Sequence, residues 1–564
     1  MSQKPVVEPT TPRRAVRTAL QRAVDGYLSE QGADGVSVEV QRPARPEHGD
    51  FASNVAMQLA KQLGRPPMEL AQEIAAKVEI GGPVGAVEVA PPGFINVRLD
   101  EGWVFDDLRP VVAAGEDWGR TSLGQGQSVQ VEYVSANPTG PLLLSTGRGA
   151  VVGDTLVRLL GFTGHSTVSE FYVNDAGRQV QLFGASILAV RLGESPPEDG
   201  YQGEYISEYA AASAEALPDD DLQRLLAGDK RDEAVALVSD WAVKRVLAEV
   251  DRDLAAIGVQ MDVWRRESEL YGSYEDEVVD ALRAAGHVVE HDGATWLRFP
   301  DGKEDVLYKT NGERTYFLGD MVYHHYKFKP GKTGGFERVI DVWGADHQNQ
   351  LRRMKQAMEM IGVDPDRLRI VIIQLVRMKG DEGFIKISKR AGNVVLLRDL
   401  VDEVGADAVR YHYLLRSTDA PMDFDIDLAR RQSNENPVFY AQMAHARLCS
   451  VKAVAAEAGF APSDHALGRL GAAGEVELAR TLLEFPDVVD EAAANLEPHH
   501  LPHYAQRLAE RIHTFYHAGS KDASLRVVGD DAELAGARLY LCEAARQTMA
   551  NLLGLMGVSA PTRM

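Results

Sequence analysis

The stretch Val129 to Ala150, VQVEYVSANPTGPLLLSTGRGA, constrains this chain more than any other. It predicts an apolar strand over Val129–Val134, a turn carrying Asn137, Pro138, Gly140 and Pro141, and then Ser145-Thr146-Gly147. A helix follows, with Val152, Leu156, Leu159 and Leu160 on one face. A strand that turns through Gly and Pro into a helix is the unit from which parallel α/β sheets build phosphate sites. The first helical N–H groups lack partners and the helix dipole favours an anion there. An ordinary strand-to-helix connection without a ligand has the same shape, so this unit alone fixes an α/β sheet and leaves its ligand open.

The 564 residues suffice for two to four domains, and 45% apolar residues supply their cores. Cys449 and Cys542 lie in helical patterns without metal-like spacing and read as core thiols of a reducing compartment. The first residues lack a signal-peptide core and no run of eighteen apolar residues occurs, so the expectation is a cytoplasmic protein with no membrane partner. A net charge of −23 gives no general attraction for a phosphate backbone. Arg416, Arg430, Arg431, His445 and Arg447 nevertheless concentrate basic character near the start of the last domain, as either a local RNA surface or a solvated helix face.

Taken in order, the chain predicts a helix over Ala15–Glu30 and a short strand at Val36–Val40. A helix after His48-Gly49-Asp50-Phe51 has Asp50 or Ser53 as cap, a second begins at Pro66-Pro67, and Val87–Leu99 forms strand, Pro-Pro-Gly turn and strand. Val168–Val173 is a second strand of the sheet, and residues 190–290 read as charged inserted helices. Thr295–Phe299 and Asp305–Lys309 are short strands, and Val339–Trp343 is a strand leading into Gly344-Ala345-Asp346-His347. Tyr316 and Asp320, four apart, share a side if their run is helical. From Asn434 onward the pattern is helical, as in a bundle.

Several runs resemble arginyl-tRNA synthetases, a class I aminoacyl-tRNA synthetase family: Glu132, Ser135, Asn137-Pro138-Thr139-Gly140-Pro141-Leu142 and Gly147-Arg148-Gly149-Ala150; GDFxSNxA with PPGFIN; YVNDxGxQ; GADH at 344–347; and Lys386-Ile387-Ser388-Lys389, similar to the class I KMSKS loop. The resemblance implies a Rossmann-like parallel-sheet catalytic domain over 119–430 with an insertion near 190–290. It also implies an N-terminal α+β domain over 1–118 that touches tRNA, and an all-α anticodon-binding bundle over 431–564. By the same resemblance, Glu132 and Asn137 bind the α-amino side of arginine and Tyr316 and Asp320 its guanidinium. Ser135, Gly147, Asp346, His347 and Ser388 line ATP, Lys386 and Lys389 close on the triphosphate, and Asn54, Tyr440, His445 and Arg447 meet tRNA. From the residues alone, Asn54 reads rather as a capping or turn residue, and equally Asp320 as a helix cap, Tyr316 and Tyr440 as core aromatics and His347 as a capping histidine.

The implied reaction makes arginyl-adenylate from arginine and ATP, with Mg²⁺ accompanying the ATP and no resident metal, and passes the arginyl group to tRNA(Arg); a monomer is expected. One departure stands out. Where the class I signature has His-x-Gly-His, this chain has Leu143-Leu144-Ser145-Thr146, leaving the hydroxyls of Ser145 and Thr146 as candidate catalytic groups. Two expectations follow: a working arginine-tRNA ligase with a divergent signature, or an impaired paralogue that binds arginine, ATP or tRNA as a sensor or carrier.

Overall fold

The computed structural model describes residues 11–43, 45–228, 230–331, 334–345, 351–380, 383–385 and 395–564. Its first helix, Pro12–Gln31, starts with a proline in its first turn and a Thr11 hydroxyl that accepts from Arg14 N, and ends at Gly32 with φ 64°. Helices Val55–Leu63 and Pro67–Ala75 pack on an antiparallel sheet of β1 (Phe51–Ser53), β2 (Val84–Ala90) and β3 (Phe94–Leu99), with β3 central. Two local expectations change here. Val36–Val40 pairs with no strand, because the Gln21 amide donates to Val36 O and accepts from Val38 N, both at 2.8 Å. Asp50 caps no helix; its carboxylate accepts Leu99 N at 2.8 Å and pins β3.

The middle of the chain builds a five-stranded parallel sheet from β4 (Ser128–Glu132), β5 (Ser166–Val173), β6 (Val263–Arg266), β10 (Arg338–Gly344) and β11 (Leu368–Ile373), in the order β11-β10-β4-β5-β6. Strand order therefore reverses between β4 and β10, and open parallel sheets bind ligands at the carboxyl edge of such a crevice. The Leu144–Phe162 helix connects β4 to β5 and buries Val151, Val152, Leu156, Leu159 and Leu160. Within the 190–290 stretch read as inserted helices, Val263–Arg266 is instead the edge strand of this sheet. Four residues with two arginines carry too little apolar signal to announce a strand.

Between β6 and β10 lie the Ser273–Ala284 helix, a small antiparallel sheet of β7 (Val288–His291), β8 (Ala294–Arg298) and β9 (Glu304–Tyr308), and the Tyr316–Phe328 helix. A third small sheet joins β12 (Val376–Gly380), β13 (Gly383–Ile385) and β14 (Met422–Asp425). The chain ends in helices Pro437–Glu457, Ala473–Leu483, Phe485–Asn495, His500–Lys521 and Ala532–Leu555, packed through residues such as Leu478, Leu508, Ile512, Leu541 and Leu552. Cys542 is buried in this bundle and Cys449 is half-buried; they do not pair. Among the described residues no helix is long and apolar enough to cross a membrane.

Candidate active site

The site begins where β4 ends. Val134 and Ser135 both have positive φ, 72° and 37°, a conformation that a β-branched residue adopts only under outside constraint. The constraint is visible. Ser135 Oγ donates to Glu132 Oε1 at 2.7 Å and accepts Tyr172 N at 3.1 Å, tying the turn back to β4 and across to β5. Asn137 follows, exposed, its amide donating to Gln179 Oε1 at 2.8 Å.

Glu132 is one of three carboxylates in a row. It is the register partner of Asp341 on β10 and of Glu170 on β5, so all three side chains leave the same face of the sheet. The Tyr316–Phe328 helix covers them. Lys327 Nζ donates to Glu132 Oε2 at 2.5 Å and to Asp341 Oδ1 at 2.7 Å, His324 Nε2 meets Asp341 Oδ2 at 2.7 Å, and the Tyr323 hydroxyl donates to Glu170 Oε1 at 2.6 Å. The ammonium also lies 4.1 Å from the centre of the Tyr323 ring.

Burial opposes charge on Asp341, yet Lys327 and His324 bring its carboxyl down to about 2. Burial likewise opposes the Lys327 charge, and Asp341 and Glu132 outweigh it, raising the ammonium above its ordinary range. Glu170, whose burial is the larger influence, is pushed up toward its neutral form.

On the same helix Thr315 caps the first turn, Tyr316 is 61% exposed, and Asp320 is half-buried one turn on. A buried carboxylate stands beside them. Glu267, just after β6, accepts from Tyr271 OH at 2.7 Å and from the Asn174 amide at 2.8 Å, and a Cβ added at Gly319 would lie 3.3 Å from its Oε1. Burial holds Glu267 above the usual carboxylate range. After burial, Glu267 and Asp320 are the leading causes raising the Tyr172 phenol between them.

The helix after the turn starts at Leu144, with Leu143 at the cap position offering no side-chain hydrogen bond. The Leu143 carbonyl accepts Thr146 N at 3.0 Å and Gly147 N at 3.2 Å; Ser145 is exposed and Thr146 half-buried. Gly147 packs closely, since an added Cβ would lie 2.6 Å from Leu397 Cδ1 and 3.3 Å from the Tyr413 ring. Arg148, fully buried, donates to the carbonyls of Gln374, Arg416, Ser417 and Ala420, and burial lowers its guanidinium to about 10. Asp346, His347, Lys386, Ser388 and Lys389 lie outside the described residues.

In the bundle, Tyr440, Arg447, Asn434, His513, His517 and Lys521 line a cavity of about 450 Å³. Arg447 Nη1 donates to His513 Nδ1 at 2.6 Å and its guanidinium stands 4.7 Å from the Tyr516 ring centre. His445, predicted to face RNA, points elsewhere: it is 2% exposed with Nδ1 on Pro561 O at 2.9 Å. Asn54 occupies the cap position of the Val55–Leu63 helix without capping it and accepts from Gln58 Nε2 at 3.1 Å. Glu497, His499 and His500 form the group of possible metal ligands found among the described residues, at the start of the His500–Lys521 helix of the bundle.

Glu170, Glu267, Tyr323, His324, Lys327 and Asp341 were not singled out from the sequence, and Arg148 only within its Gly147–Ala150 run. Their signal was there as ionisable residues inside apolar runs, Asp341 in VIDVW and His324 and Lys327 in MVYHHYKF.

A reversing parallel sheet with an acidic pocket at its carboxyl edge, a helix start beside it and a C-terminal helical bundle define a class I aminoacyl-tRNA synthetase. Three family models divide the chain: arginyl tRNA synthetase N terminal domain over residues 11–99, tRNA synthetases class I (R), catalytic domain over 110–420, and DALR anticodon binding domain over 441–564. The chain is 41% identical over 568 residues to an arginine–tRNA ligase of Syntrophotalea carbinolica, covering 98% of this chain and 99% of that one. It is 39% identical over 538 residues, 94% of each chain, to that of Dehalococcoides mccartyi. The solved arginyl-tRNA synthetase of Thermus thermophilus shares the fold, with a TM-score of 0.76 and 22% identity over 98% of this chain and all of that one. The chain belongs to the arginyl-tRNA synthetase family, and its class of reaction is the ATP-dependent ligation of arginine to tRNA.

Proposed function

We propose that this chain is a working ligase which activates arginine as the adenylate and transfers it to tRNA(Arg) despite its Leu143–Thr146 signature. The observation that carries this reading is the set of carboxylates around the Tyr172 phenol: Glu267, Asp320 and Glu132, from the end of β6, the Tyr316–Phe328 helix and β4, all act on it and so face one region, suited to a ligand with two cationic groups. Arginine is such a ligand. Tyr316 and Asp320, with Glu267 behind them, receive the guanidinium, whose five donors need fixed acceptors. Glu132 and Asn137 receive the α-amino side, so that charge at both ends selects arginine over shorter or uncharged side chains.

ATP with its Mg²⁺ lies along the start of the Leu144–Phe162 helix, near Ser135 and Gly147, with Asp346, His347 and Ser388 completing its site. Lys386 and Lys389 neutralise the leaving pyrophosphate, and the hydroxyls of Ser145 and Thr146 stand in for imidazole donors. No covalent enzyme intermediate is needed, since aligned reactants and stabilised charge suffice. Tyr440 and Arg447, on the bundle cavity, contact tRNA directly; His445 supports that region from behind, and Asn54 contributes from the N-terminal domain. The protein works as a cytoplasmic monomer whose domains divide at 1–118, 119–430 and 431–564.

The test is arginine-dependent charging of total tRNA by the purified protein beside a Lys389→Ala control. A third protein carries Leu143→His, Leu144→Val, Ser145→Gly and Thr146→His together. Charging above the control establishes the working ligase. Charging by the third protein alone means a binding scaffold whose chemistry has lapsed.

A further inference from the structure

We propose that Lys327 is a positioning residue for amino-acid activation: held between Glu132 and Asp341, it fixes Glu132, and through Ser135 the Val134–Ser135 turn, in the arrangement that receives the α-ammonium of arginine. The inference rests on the reading of Glu132 given above and goes beyond it, to how a buried carboxylate is kept available for substrate.

The geometry is a continuous line of hydrogen bonds. Asp341 Oδ1 accepts from Lys327 Nζ, Lys327 Nζ donates to Glu132 Oε2, Ser135 Oγ donates to Glu132 Oε1, and Tyr172 N donates to Ser135 Oγ. Glu132, Lys327 and Asp341 are buried to within 5% exposure, so solvent does not compete for the two bonds that Lys327 makes, while those of Ser135 are partly buried. The line ends on two consecutive non-glycine residues with positive φ, a backbone shape that persists only where its surroundings enforce it. Ser135 supplies the enforcing contact, and its hold on Glu132 is only as firm as Glu132 itself.

Charge shows why Lys327 is needed. Asp341, Glu132 and Glu170 are register neighbours on one sheet face. Without a cation between them, Asp341 and Glu132 would repel, and one would leave the row or take up a proton. A protonated or displaced Glu132 could not meet an α-ammonium. Lys327 balances one anion and leaves the other's charge for substrate. Asp341 also accepts His324 at its second oxygen, which anchors it on the far side. Lys327 in turn stands over the Tyr323 ring, 4.1 Å from its centre.

A residue that merely balanced charge would be replaceable by any change that restores neutrality. The experiment uses that difference. Arginine-dependent ATP–pyrophosphate exchange, run with full-length protein and tRNA, gives KM for arginine and for ATP. Inhibition by 5-guanidinopentanoate, which is arginine without its α-amino group, gives the preference for that group. The proteins are the natural chain, Glu132→Gln, Ser135→Ala, Lys327→Met, and the charge-balanced Lys327→Met/Asp341→Asn.

We expect the charge-balanced variant to lose about ten-fold or more of the preference for arginine over 5-guanidinopentanoate, with KM for ATP and inhibition by the analogue little changed. Glu132→Gln should lose the same preference, and Ser135→Ala part of it. If Glu132→Gln loses the preference while the charge-balanced variant and Ser135→Ala keep it, Lys327 only balances charge and the proposal is overturned alone. If Glu132→Gln keeps the preference, both the reading of Glu132 and the proposal fall. Should Lys327→Met or its charge-balanced form fold poorly, Lys327→Arg, which keeps the buried charge and changes its reach to Glu132 and Asp341, decides the matter by the same ratio: a lost preference supports positioning and a kept one overturns it.

Discussion

Arg410 Nη2 lies 2.5 Å from Asp154 Oδ2, both side chains buried, at the point where the helix after β4 meets the C-terminal bundle. The same guanidinium donates to Met556 O at 2.7 Å, at the end of the last helix, and to Ile257 O at 2.8 Å, just before β6. One side chain therefore joins the catalytic sheet, its inserted helices and the RNA-facing bundle. Removing it leaves Asp154 with Arg158 Nε, at 2.7 Å, as its remaining arginine partner and takes the arginine donor from two carbonyls, and each buried polar group left unsatisfied costs about 1–3 kcal/mol. Arg410→Met should lower the urea midpoint accordingly. If the midpoint stays within error of the natural protein, the junction is not held by this pair.

Gly153 lies on the face of the Leu144–Phe162 helix that meets β4, and an added Cβ would be 2.1 Å from Tyr133 Cγ. The obstacle is a ring that is itself buried at 1% exposure, so it has nowhere to move. Gly153→Ala should therefore destabilise, near the top of the ~1–3 kcal/mol range for overpacking, although alanine is the better helix former. A melting temperature equal to the natural protein's would count against it.

Thr146 is the half-buried hydroxyl of the first helical turn, and Ser145 the exposed one. If Thr146 donates to a phosphate oxygen as charge develops, Thr146→Val, which keeps shape and removes the donor, should slow pyrophosphate exchange by about 10²-fold. KM for arginine should not move, because the pocket is untouched. An unchanged rate would assign the charge stabilisation to other groups.

His513 titrates in a predictable direction. Burial pushes it down to about 4; the Tyr440 carbonyl is the next influence and works the other way, and the neighbouring Arg447 and His517 add smaller downward pushes. Arginine always donates, so the 2.6 Å contact from Arg447 makes His513 Nδ1 an acceptor and leaves Nε2–H for Tyr440 O. Between about pH 6.5 and 4 the unfolded chain binds this proton and the folded chain does not. Its contribution is thus fully present above 6.5 and is lost as pH falls toward 4. Denaturation midpoints from pH 7 to 4 should drop less steeply for His513→Asn than for the natural protein, and parallel curves would show that His513 is not the group responsible.

How far the sequence carried depends on how local each signal was. The β4 turn and the following helix were legible because Gly and Pro punctuate a single short stretch. The antiparallel pair β2–β3 was legible through its Pro-Pro-Gly turn. Edge strand β6 was not, because its pairing with β5 comes from 93 residues away and its own four residues include two charges. Val36–Val40 has a strand's alternation, but Gln21 supplies the partner that a neighbouring strand would have given. In the site, Glu132 could be named from the β4 stretch, whereas its partner Lys327 lies 195 positions on and meets it only once the sheet and its covering helix are assembled.

The row of Asp341, Glu132 and Glu170 also governs how the sheet can come together. Side chains alternate faces along a strand, so sliding β4 by one residue against β10 or β5 would turn Glu132 to the opposite face, away from Lys327, and leave buried charges unmatched. Misaligned pairings that hydrophobic strands would otherwise tolerate are thereby made costly. The same row acts as a lock on strand alignment, and a chain that finds the right register has, in the same step, brought three carboxylates together under Lys327.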